Sequence, residues 1–402
     1  EKITIRQVKK GCSYPYIMTK ILEKMSLLGL SLLLISAFSI STALPPMLDY
    51  YSPTYTASQV ELLVSVPSFS VVAMLLLNPF VDKWLNDRQL IMTGLILLSS
   101  AGIFPFFVQL YPLVLLSRLV FGMGIGFINA KAISIISQRY QGKERVQMLG
   151  IRGSMELIGG ASFSLLVGQL LKIHWTLAFL IYGFGFIILA MYLLFVPPME
   201  QTEKKEAQKS KEGLDKKDLA MILGMALLAG FVICINSSIS LRVPLFQVDG
   251  KTIASGQSAL VLSLEQGIGI VAGLSFASLI GHIKNRLLPM ALFCLSICLF
   301  GMSLANNLLI LILSAVGVGF FYSIVLTIIF HRLSERIARN LLNKATAYVL
   351  LGCNLGSALS PYVLKLLALV SSSFSWIFLA YAIVSFLLFL GFLMNSRVVK
   401  KA

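Results

Sequence analysis

The chain has 402 residues, of which 57% are hydrophobic and only 12% are charged, and its mean hydropathy is +0.87. This composition excludes a soluble globular protein, because most of the side chains would find no buried position. The net charge of +16 does not indicate a nucleic-acid partner, since the basic residues concentrate in the tails, a central linker and alternate loops. The sequence therefore predicts an all-α polytopic membrane protein.

The first half of the chain contains six apolar runs, each close to the roughly 20 residues that a helix needs to cross a bilayer. A basic segment, 1–24, precedes them and lacks the pattern of a cleaved signal peptide. The runs predict an N-terminal six-helix bundle over 25–196, with spans at 25–47, 57–80, 89–108, 112–137, 148–171 and 176–196.

A polar segment at 197–218 has no apolar periodicity and predicts a solvated linker. Six further runs predict a C-terminal six-helix bundle over 219–394, followed by a tail at 395–402. Its spans lie at 219–240, 258–280, 287–305, 308–330, 345–369 and 374–394. The excess of Lys and Arg in the tails and linker predicts that both ends of this twelve-helix chain are cytoplasmic.

Charged side chains inside the predicted spans are candidates for function, because an unpaired charge in a bilayer costs several kcal/mol. Arg118 and Lys131 lie in the fourth span, Glu156 in the fifth and Glu265 in the eighth. Lys131 and Glu156 lie at equal depth on two antiparallel helices joined by a turn at 141–144, which predicts an ion pair. The helical spacing also predicts that Arg118 and Lys131 face different directions.

Two features of the sequence resemble the major facilitator superfamily and, within it, the bacterial drug:proton antiporter branch. The first is the six-plus-six arrangement of spans. The second is the pattern Arg118, Gly122 and Gly124 in span four, although Phe121 replaces the usual glutamine. This resemblance implicates Arg118 in proton coupling or substrate binding. The alternative is a structural arginine that binds backbone carbonyls across helices.

The loop after the second span carries a degenerate form of the same family's loop signature. Residues 78–88 retain Asp82, Lys83 and Arg88 but lack the two glycines and the middle arginines. By resemblance, these three residues form a conformational latch between the two halves. The alternative is that they are ordinary charges at the membrane interface.

Small residues in the spans predict close helix packing. The antiporter signature of span five is partly retained in Gly159, Gly160 and Gly168, with Ser164 where proline is usual. The positions predicted to pack helices are Gly122, Gly124, Gly159, Gly160 and Gly356.

Either Glu156 or Glu265 could carry the coupled proton, and the resemblance sets them face to face between the two halves. A pair with Lys131 would keep Glu156 ionised and favour Glu265 as the carrier. If Lys131 instead reaches the cytoplasmic surface, Glu156 can cycle. The space left by Gly153, Gly160 and Ser164 on its helix favours Glu156.

Together these patterns predict a secondary transporter of the cell membrane that exports a hydrophobic or amphipathic small molecule in exchange for protons. By resemblance it is a monomer of the bacterial cytoplasmic membrane. The alternatives are nutrient uptake, transport of a lipid-type substrate, or a membrane sensor that transports nothing. No catalytic arrangement, metal site or cofactor site is predicted, so an enzyme is not expected. Polar side chains predicted to line the substrate cavity are Asn129, Asn236, Gln266, Tyr322 and Asn354.

Overall fold

The computed structural model describes residues 13–34, 36–81, 84–140, 142–197, 215–248, 250–337 and 339–398. These residues form thirteen α-helices and one short β-hairpin. The first half contributes α1 Ser13–Leu32, α2 Leu44–Tyr51, α3 Ala57–Val81, α4 Asp87–Phe107, α5 Tyr111–Arg139, α6 Gly142–Leu170 and α7 Phe184–Phe195. The second half contributes α8 Lys216–Arg242, α9 Ser255–Ile283, α10 Leu287–Ser303, α11 Leu308–Arg336, α12 Arg339–Ala368 and α13 Phe374–Val398.

Most of these helices are long and apolar enough to cross a membrane. Among the described residues nine segments satisfy this condition, or ten if the bent pair that includes α2 is counted as one span. The α10 helix is apolar but shorter. The chain is therefore a largely helical, multi-pass membrane protein, while the count of twelve spans and the cytoplasmic location of both ends stay predictions.

The first predicted span is broken rather than continuous, which is one reason for the thirteenth helix. Its two helical parts, Lys20–Leu32 and Ala37–Tyr51, meet at an angle of 52°. Residues Ser36–Ala43 form a 3-10 helix, and α2 then begins with Pro45 and Pro46 in its first turn. Proline has no N–H to donate and fits best at the start of a helix, so the prolines fix where the α-helix can resume.

Helices of each half pack mainly on one another. In the first half α5 packs on α3 and α4, while α1 packs on α6 and α7. In the second half α8 packs on α12, α9 on α11, and α10 on both α11 and α13. The halves meet mainly through α6 with α9 and α3 with α12, and smaller contacts link the 3-10 helix Ser36–Ala43 to α8 and α9. The structure thus consists of two helical bundles, and the predicted boundaries of those bundles stay a prediction.

The helices alternate in direction, so the molecule has two distinct ends. At one end Arg139 of α5 binds Glu23 of α1 and the carbonyl oxygen of Pro197, which follows α7. In the second half Arg336 of α11 lies 3.7 Å from the sulfur of Met221 of α8. We call this end, which borders the segment between α7 and α8, the linker face. The opposite end is called the far face.

The connection between α8 and α9 lies at the far face and contains the β-hairpin. Strands β1 Gln247–Val248 and β2 Lys251–Thr252 pair in antiparallel fashion. Gly250 adopts a φ of 74° in the turn, a conformation that glycine tolerates because it lacks a Cβ atom.

Candidate functional site between the two bundles

Helices α6 and α9 form one of the two largest contacts between the bundles. The hydroxyl of Ser263 donates to the carbonyl oxygen of Ala161 over 2.9 Å. A methyl group added at Gly269 would lie 3.0 Å from the side chain of Leu157. Nearer the far face, a methyl group at Gly168 would collide with Ala259. The two helices are therefore in tight contact from the level of Leu157 to the far face.

Polar contacts close the second junction, between α3 and the helices α8 and α12. The hydroxyl groups of Ser68 of α3 and Ser357 of α12 are 3.1 Å apart across the junction, and Ser237 of α8 donates to Ser357 from within the second bundle over the same distance. Closer to the far face, Arg242 binds both carboxylate oxygens of Glu61 at 2.8 and 3.2 Å. Such two-point arginine–carboxylate pairs are among the stronger polar contacts in proteins. They tie the bundles together on the far side.

Toward the linker face the α6–α9 pair separates. Gly153 lies one turn beyond Leu157 on the same side of α6, and Gly273 lies one turn beyond Gly269 on the same side of α9. A methyl group added at either glycine would meet no atom within 4 Å. The bundles are thus closed at the far face and leave space between these helices toward the linker face.

Glu156 lies where this space begins, and it is paired within its own helix. Its Oε1 is 2.7 Å from Nη2 of Arg152, one turn away on α6. The side chain of Glu156 is 24% exposed and that of Arg152 is 12% exposed. Arg152 and Glu156 therefore place an ion pair with no net charge at the edge of the open space.

Glu265 lies about one helical turn, roughly 6 Å, closer to the far face than Glu156. Its exposed fraction is 0%, and neither carboxylate oxygen has a hydrogen-bond partner among the described residues. Gly319 of α11 packs against the backbone carbonyl of Glu265, so the helix is enclosed on that side. Because an ionised carboxylate without a partner is costly to bury, this environment suits the neutral acid.

Tyr322 of α11 connects these two acids electrostatically. This buried tyrosine is close enough to interact with the charges of both Glu265 and Glu156, and Cys353 of α12 is within range of Glu156. Residues from α6, α9, α11 and α12 therefore converge between the bundles. We call Arg152, Glu156, Glu265 and Tyr322 the central cluster.

The structure corrects the predicted ion pair between Lys131 and Glu156. The Nζ of Lys131 is 3.0 Å from Oδ1 of Asp87 in the first turn of α4, whereas Glu156 is bound by Arg152. The physical reason is the direction that each helix faces. α5 packs mainly on α3 and α4, so a side chain at the depth of Glu156 reaches α4 rather than α6.

Arg118 is enclosed inside the first bundle. Its Nε donates to the carbonyl oxygen of Leu63 over 3.1 Å, and its Nη2 donates to that of Ala37 over 3.2 Å. The guanidinium carbon lies 4.4 Å from the ring centre of Phe121 and 5.3 Å from that of Tyr182. Only 1% of Arg118 is exposed. These contacts favour the structural alternative over a role in proton coupling.

The predicted latch is only partly within the described structure. Asp82 and Lys83 lie outside the described residues. Arg88 lies in the first turn of α4 and donates to the carbonyl oxygen of Leu193 in α7 over 3.4 Å. This contact joins two helices of the same bundle, so the latch stays a prediction.

The polar residues predicted to line a cavity have different surroundings. Asn354 donates to the carbonyl oxygen of Leu350 in its own helix over 2.8 Å. The amide oxygens of Asn236 and Gln266 are buried and have no hydrogen-bond partner among the described residues. Tyr322 is buried within the central cluster, and Asn129 is partly exposed on α5.

The glycines predicted to pack helices lie at several close approaches. A methyl group at Gly122 would collide with the backbone of Pro67, and one at Gly159 with the backbone of Leu32. Gly356 of α12 packs directly on Gly230 of α8. Gly124 faces Gly94 of α4, and a methyl group added at Gly124 would lie 2.6 Å from the carbonyl oxygen of Gly94. Gly160 is buried on α6.

Two charged residues that pair with predicted site residues, Arg152 and Asp87, were not predicted from the sequence. Arg152 has a signal in the sequence, since it precedes Glu156 by the four residues that place two side chains on one face of a helix. Asp87 lies in the loop run already singled out, but its pairing with Lys131 depends on how α4 and α5 pack. No group of three or more His, Cys, Asp or Glu residues in the described part of the chain could hold a metal ion.

The solved structures with a similar fold include two that align over nearly the whole chain. Both are of a bacterial homologue of the human lysosomal transporter Spinster, one inward-facing and occupied and the other inward-facing and unoccupied. The occupied structure has a TM-score of 0.73 and 16% identity, and the alignment covers 95% of this chain and 97% of that one. The unoccupied structure has a TM-score of 0.69 and 16% identity, with 93% and 95% covered.

No curated protein matches the chain in sequence. The pattern of the Major Facilitator Superfamily matches residues 26–342, which is well over half of the chain. Transporters of this superfamily bind small-molecule substrates and act as monomers, and the helical bundles described above have their fold. The chain therefore belongs to the major facilitator superfamily of membrane transporters.

Proposed function

We propose that this protein is a secondary active transporter that works by alternating access. The observation that carries the proposal is the α6–α9 junction, which is closed from Leu157 to the far face and open at Gly153 and Gly273. One side of a central site is then sealed while the other is accessible. Rocking of the two bundles would reverse the arrangement.

Within this proposal, Glu265 is the side chain that takes up and releases the coupled proton. This assignment is supported by the complete burial of Glu265 and by the lack of a hydrogen-bond partner for either of its carboxylate oxygens among the described residues. Glu156 is the weaker candidate, because Arg152 compensates its charge. Its role is to present a charge pair to the substrate at the edge of the open space.

The proposed substrate is a hydrophobic or amphipathic small molecule, exported in exchange for protons as in the drug:proton antiporter branch. An amphipathic molecule would match the composition of the site, in which one arginine–glutamate pair is surrounded by largely apolar helices. A second candidate is uptake or transport of a lipid-type substrate. The likeness to two structures of a homologue of a lysosomal transporter concerns the fold and is compatible with either candidate.

The proposed orientation follows from the distribution of positive charge. Basic residues in the tails and in the linker favour a cytoplasmic linker face and both ends in the cytoplasm. The bundles would then comprise 25–196 and 219–394, joined by a cytoplasmic linker, in a monomer of the cell membrane. The space between α6 and α9 would open to the cytoplasm.

The test is transport in liposomes under an imposed pH gradient. Purified protein is reconstituted with a panel of lipophilic cations, neutral drugs and single-chain anionic lipids, beside protein-free liposomes. We expect gradient-driven accumulation of at least one class, lost in Glu265→Gln and retained in the matched variant Gln257→Glu, whose carboxyl lies near the far end of α9. Flux that is independent of the pH gradient would contradict proton coupling, and binding without flux of any class under any condition would contradict the transporter and favour a sensor.

A further inference from the structure

Helices α9 and α11 bury a group of oxygen atoms for which the described residues provide no hydrogen-bond donor. They are both carboxylate oxygens of Glu265, the amide oxygen of Gln266 and the hydroxyl oxygen of Ser323. Glu265 is 0% exposed, Gln266 4% and Ser323 8%. Buried polar atoms in native proteins nearly always have a partner, so a cluster of oxygens without one indicates a bound species.

The spacing along α9 directs these oxygens to one place. Ser323 lies over Gly269, since a methyl group there would be 2.8 Å from the serine Oγ. At 100° per residue, Glu265 lies about 40° to one side of Gly269 and Gln266 about 60° to the other. Both are within about 6 Å of Gly269 along the helix axis. The two side chains therefore flank the point at which α11 presents Ser323.

The missing side chain at Gly269 lets Ser323 of α11 and Leu157 of α6 approach α9 closely at this point. Any larger residue would place its Cβ between Ser323 and Leu157 of α6. Gly319 of α11 likewise lacks a side chain, which allows the backbone of Glu265 to approach α11 closely. The two helices are parallel and meet through these glycines, so the oxygens are held by rigid elements rather than by loops.

The chemistry of this set selects a cation of single charge. Carboxylate, amide and hydroxyl oxygens are hard ligands, which suit alkali and alkaline-earth ions rather than transition metals. The set contains one carboxylate, so a monovalent ion leaves the buried site neutral whereas a divalent ion leaves an uncompensated positive charge. A proton on Glu265 achieves the same neutrality, which means that either ion can satisfy the carboxylate but both together cannot.

We propose that Glu265, Gln266 and Ser323 form a sodium site in which Na⁺ and a proton compete for the same carboxylate. This inference rests on the proposed transport function and adds a second coupling ion to it. The titratable and charged groups that face this position are Tyr322 on α11 and, one turn nearer the linker face, Glu156 with its partner Arg152 on α6. The charges of Glu156 and Arg152 cancel each other, so the bound ion has to balance only the charge of Glu265.

The test is direct binding of radioactive ²²Na⁺ to the purified full-length protein in choline buffer at alkaline pH. We expect one Na⁺ per chain, displaced by acidification and not by potassium. Glu265→Gln, which is close in shape to the neutral acid and should fold, is expected to abolish binding. Ser323→Ala should weaken binding about tenfold. Ser314→Ala is the matched control on α11, since its hydroxyl points at Gly301 of α10.

The possible outcomes separate this inference from the transport proposal. Absence of Na⁺ binding, or binding that Glu265→Gln leaves unchanged, overturns the sodium site even if proton-driven transport still requires Glu265. Na⁺ binding that requires Glu265, in a protein whose transport is indifferent to the pH gradient, supports the sodium site and overturns the proton proposal. Equal weakening by Ser323→Ala and Ser314→Ala overturns the assignment of Ser323 as a ligand.

Discussion

The closed and open halves of the α6–α9 junction each contain a carboxyl group, and the surroundings of the two groups differ. In the closed half Glu265 is fully buried and has no partner among the described residues, while at the edge of the open half Glu156 is partly exposed and bound by Arg152. The two acids are separated by about one helical turn. The two acids therefore differ in compensating charge as well as in burial.

The largest expected effect comes from removing one member of the partly buried pair Arg152–Glu156. Glu156→Gln leaves Arg152 without its partner, and because arginine cannot lose its charge we expect a loss of about 2 kcal/mol in stability. Arg152→Gln should cost less, since the remaining carboxyl can bind a proton. The measurement is the thermal unfolding of both variants in detergent.

A double variant provides the control for this pair. Removing both charges, as Arg152→Gln with Glu156→Gln, should recover most of the stability lost in Glu156→Gln, because no charge then lacks compensation. If Arg152→Gln proves at least as destabilising as Glu156→Gln, the paired state described for Glu156 is wrong.

The boundary between the closed and open halves can be tested with two glycines one turn apart on α9. Gly269→Ala would place a methyl group 2.8 Å from Ser323 Oγ and 3.0 Å from Leu157, which should cost about 1–2 kcal/mol. Gly273→Ala meets no atom within 4 Å and should leave the unfolding temperature unchanged. Equal effects of the two substitutions would place the boundary elsewhere.

The ion pair between Glu61 and Arg242 should stabilise the closed far side by about 1 kcal/mol. Arg242→Glu replaces attraction by repulsion and should raise the accessibility of the far-face interior. The measurement is labelling of a cysteine introduced at buried Ser258, with a membrane-impermeant reagent, in a background without the native cysteines. The exchange Glu61→Arg with Arg242→Glu should restore protection, and failure to do so would argue against a gating role.

The smallest expected effect concerns the serine contacts of the closed side. Ser357→Ala removes hydrogen bonds to Ser68 and Ser237 and should cost about 0.5–1 kcal/mol, seen as a lower unfolding temperature. Ser360→Ala is the control, because its hydroxyl bonds only within α12 among the contacts described. A larger effect at Ser360 would show that these hydroxyls do not join the bundles.

The membrane class and the segments that contain most helices were predictable because apolar run length reports directly on the bilayer. The superfamily was predictable from the resemblance carried by the arrangement of spans and the pattern Arg118, Gly122 and Gly124. Sequence reasoning did not anticipate the break at Ser36–Ala43, where short runs of serine and alanine are compatible with a continuous helix. The prolines at 45 and 46 carried the available signal, since they mark where a helix restarts.

The site was harder to predict for a geometric reason. Depth along a helix can be read from the sequence, which predicted equal depths for Lys131 and Glu156. The neighbour that each side chain contacts depends instead on tertiary packing. In the structure Lys131 therefore forms an ion pair with Asp87, and Glu156 forms one with Arg152. The difference in orientation predicted between Arg118 and Lys131 depended only on helical periodicity, and their separate surroundings agree with it.

Arg118 also bears on how the protein is made. Its guanidinium group donates to carbonyl oxygens of the broken first segment and of α3, both of which are synthesised before it. An arginine that emerged into lipid alone would be expensive to insert. We therefore expect the earlier helices to remain beside the insertion machinery until α5 arrives, so that the first bundle assembles as a group of helices.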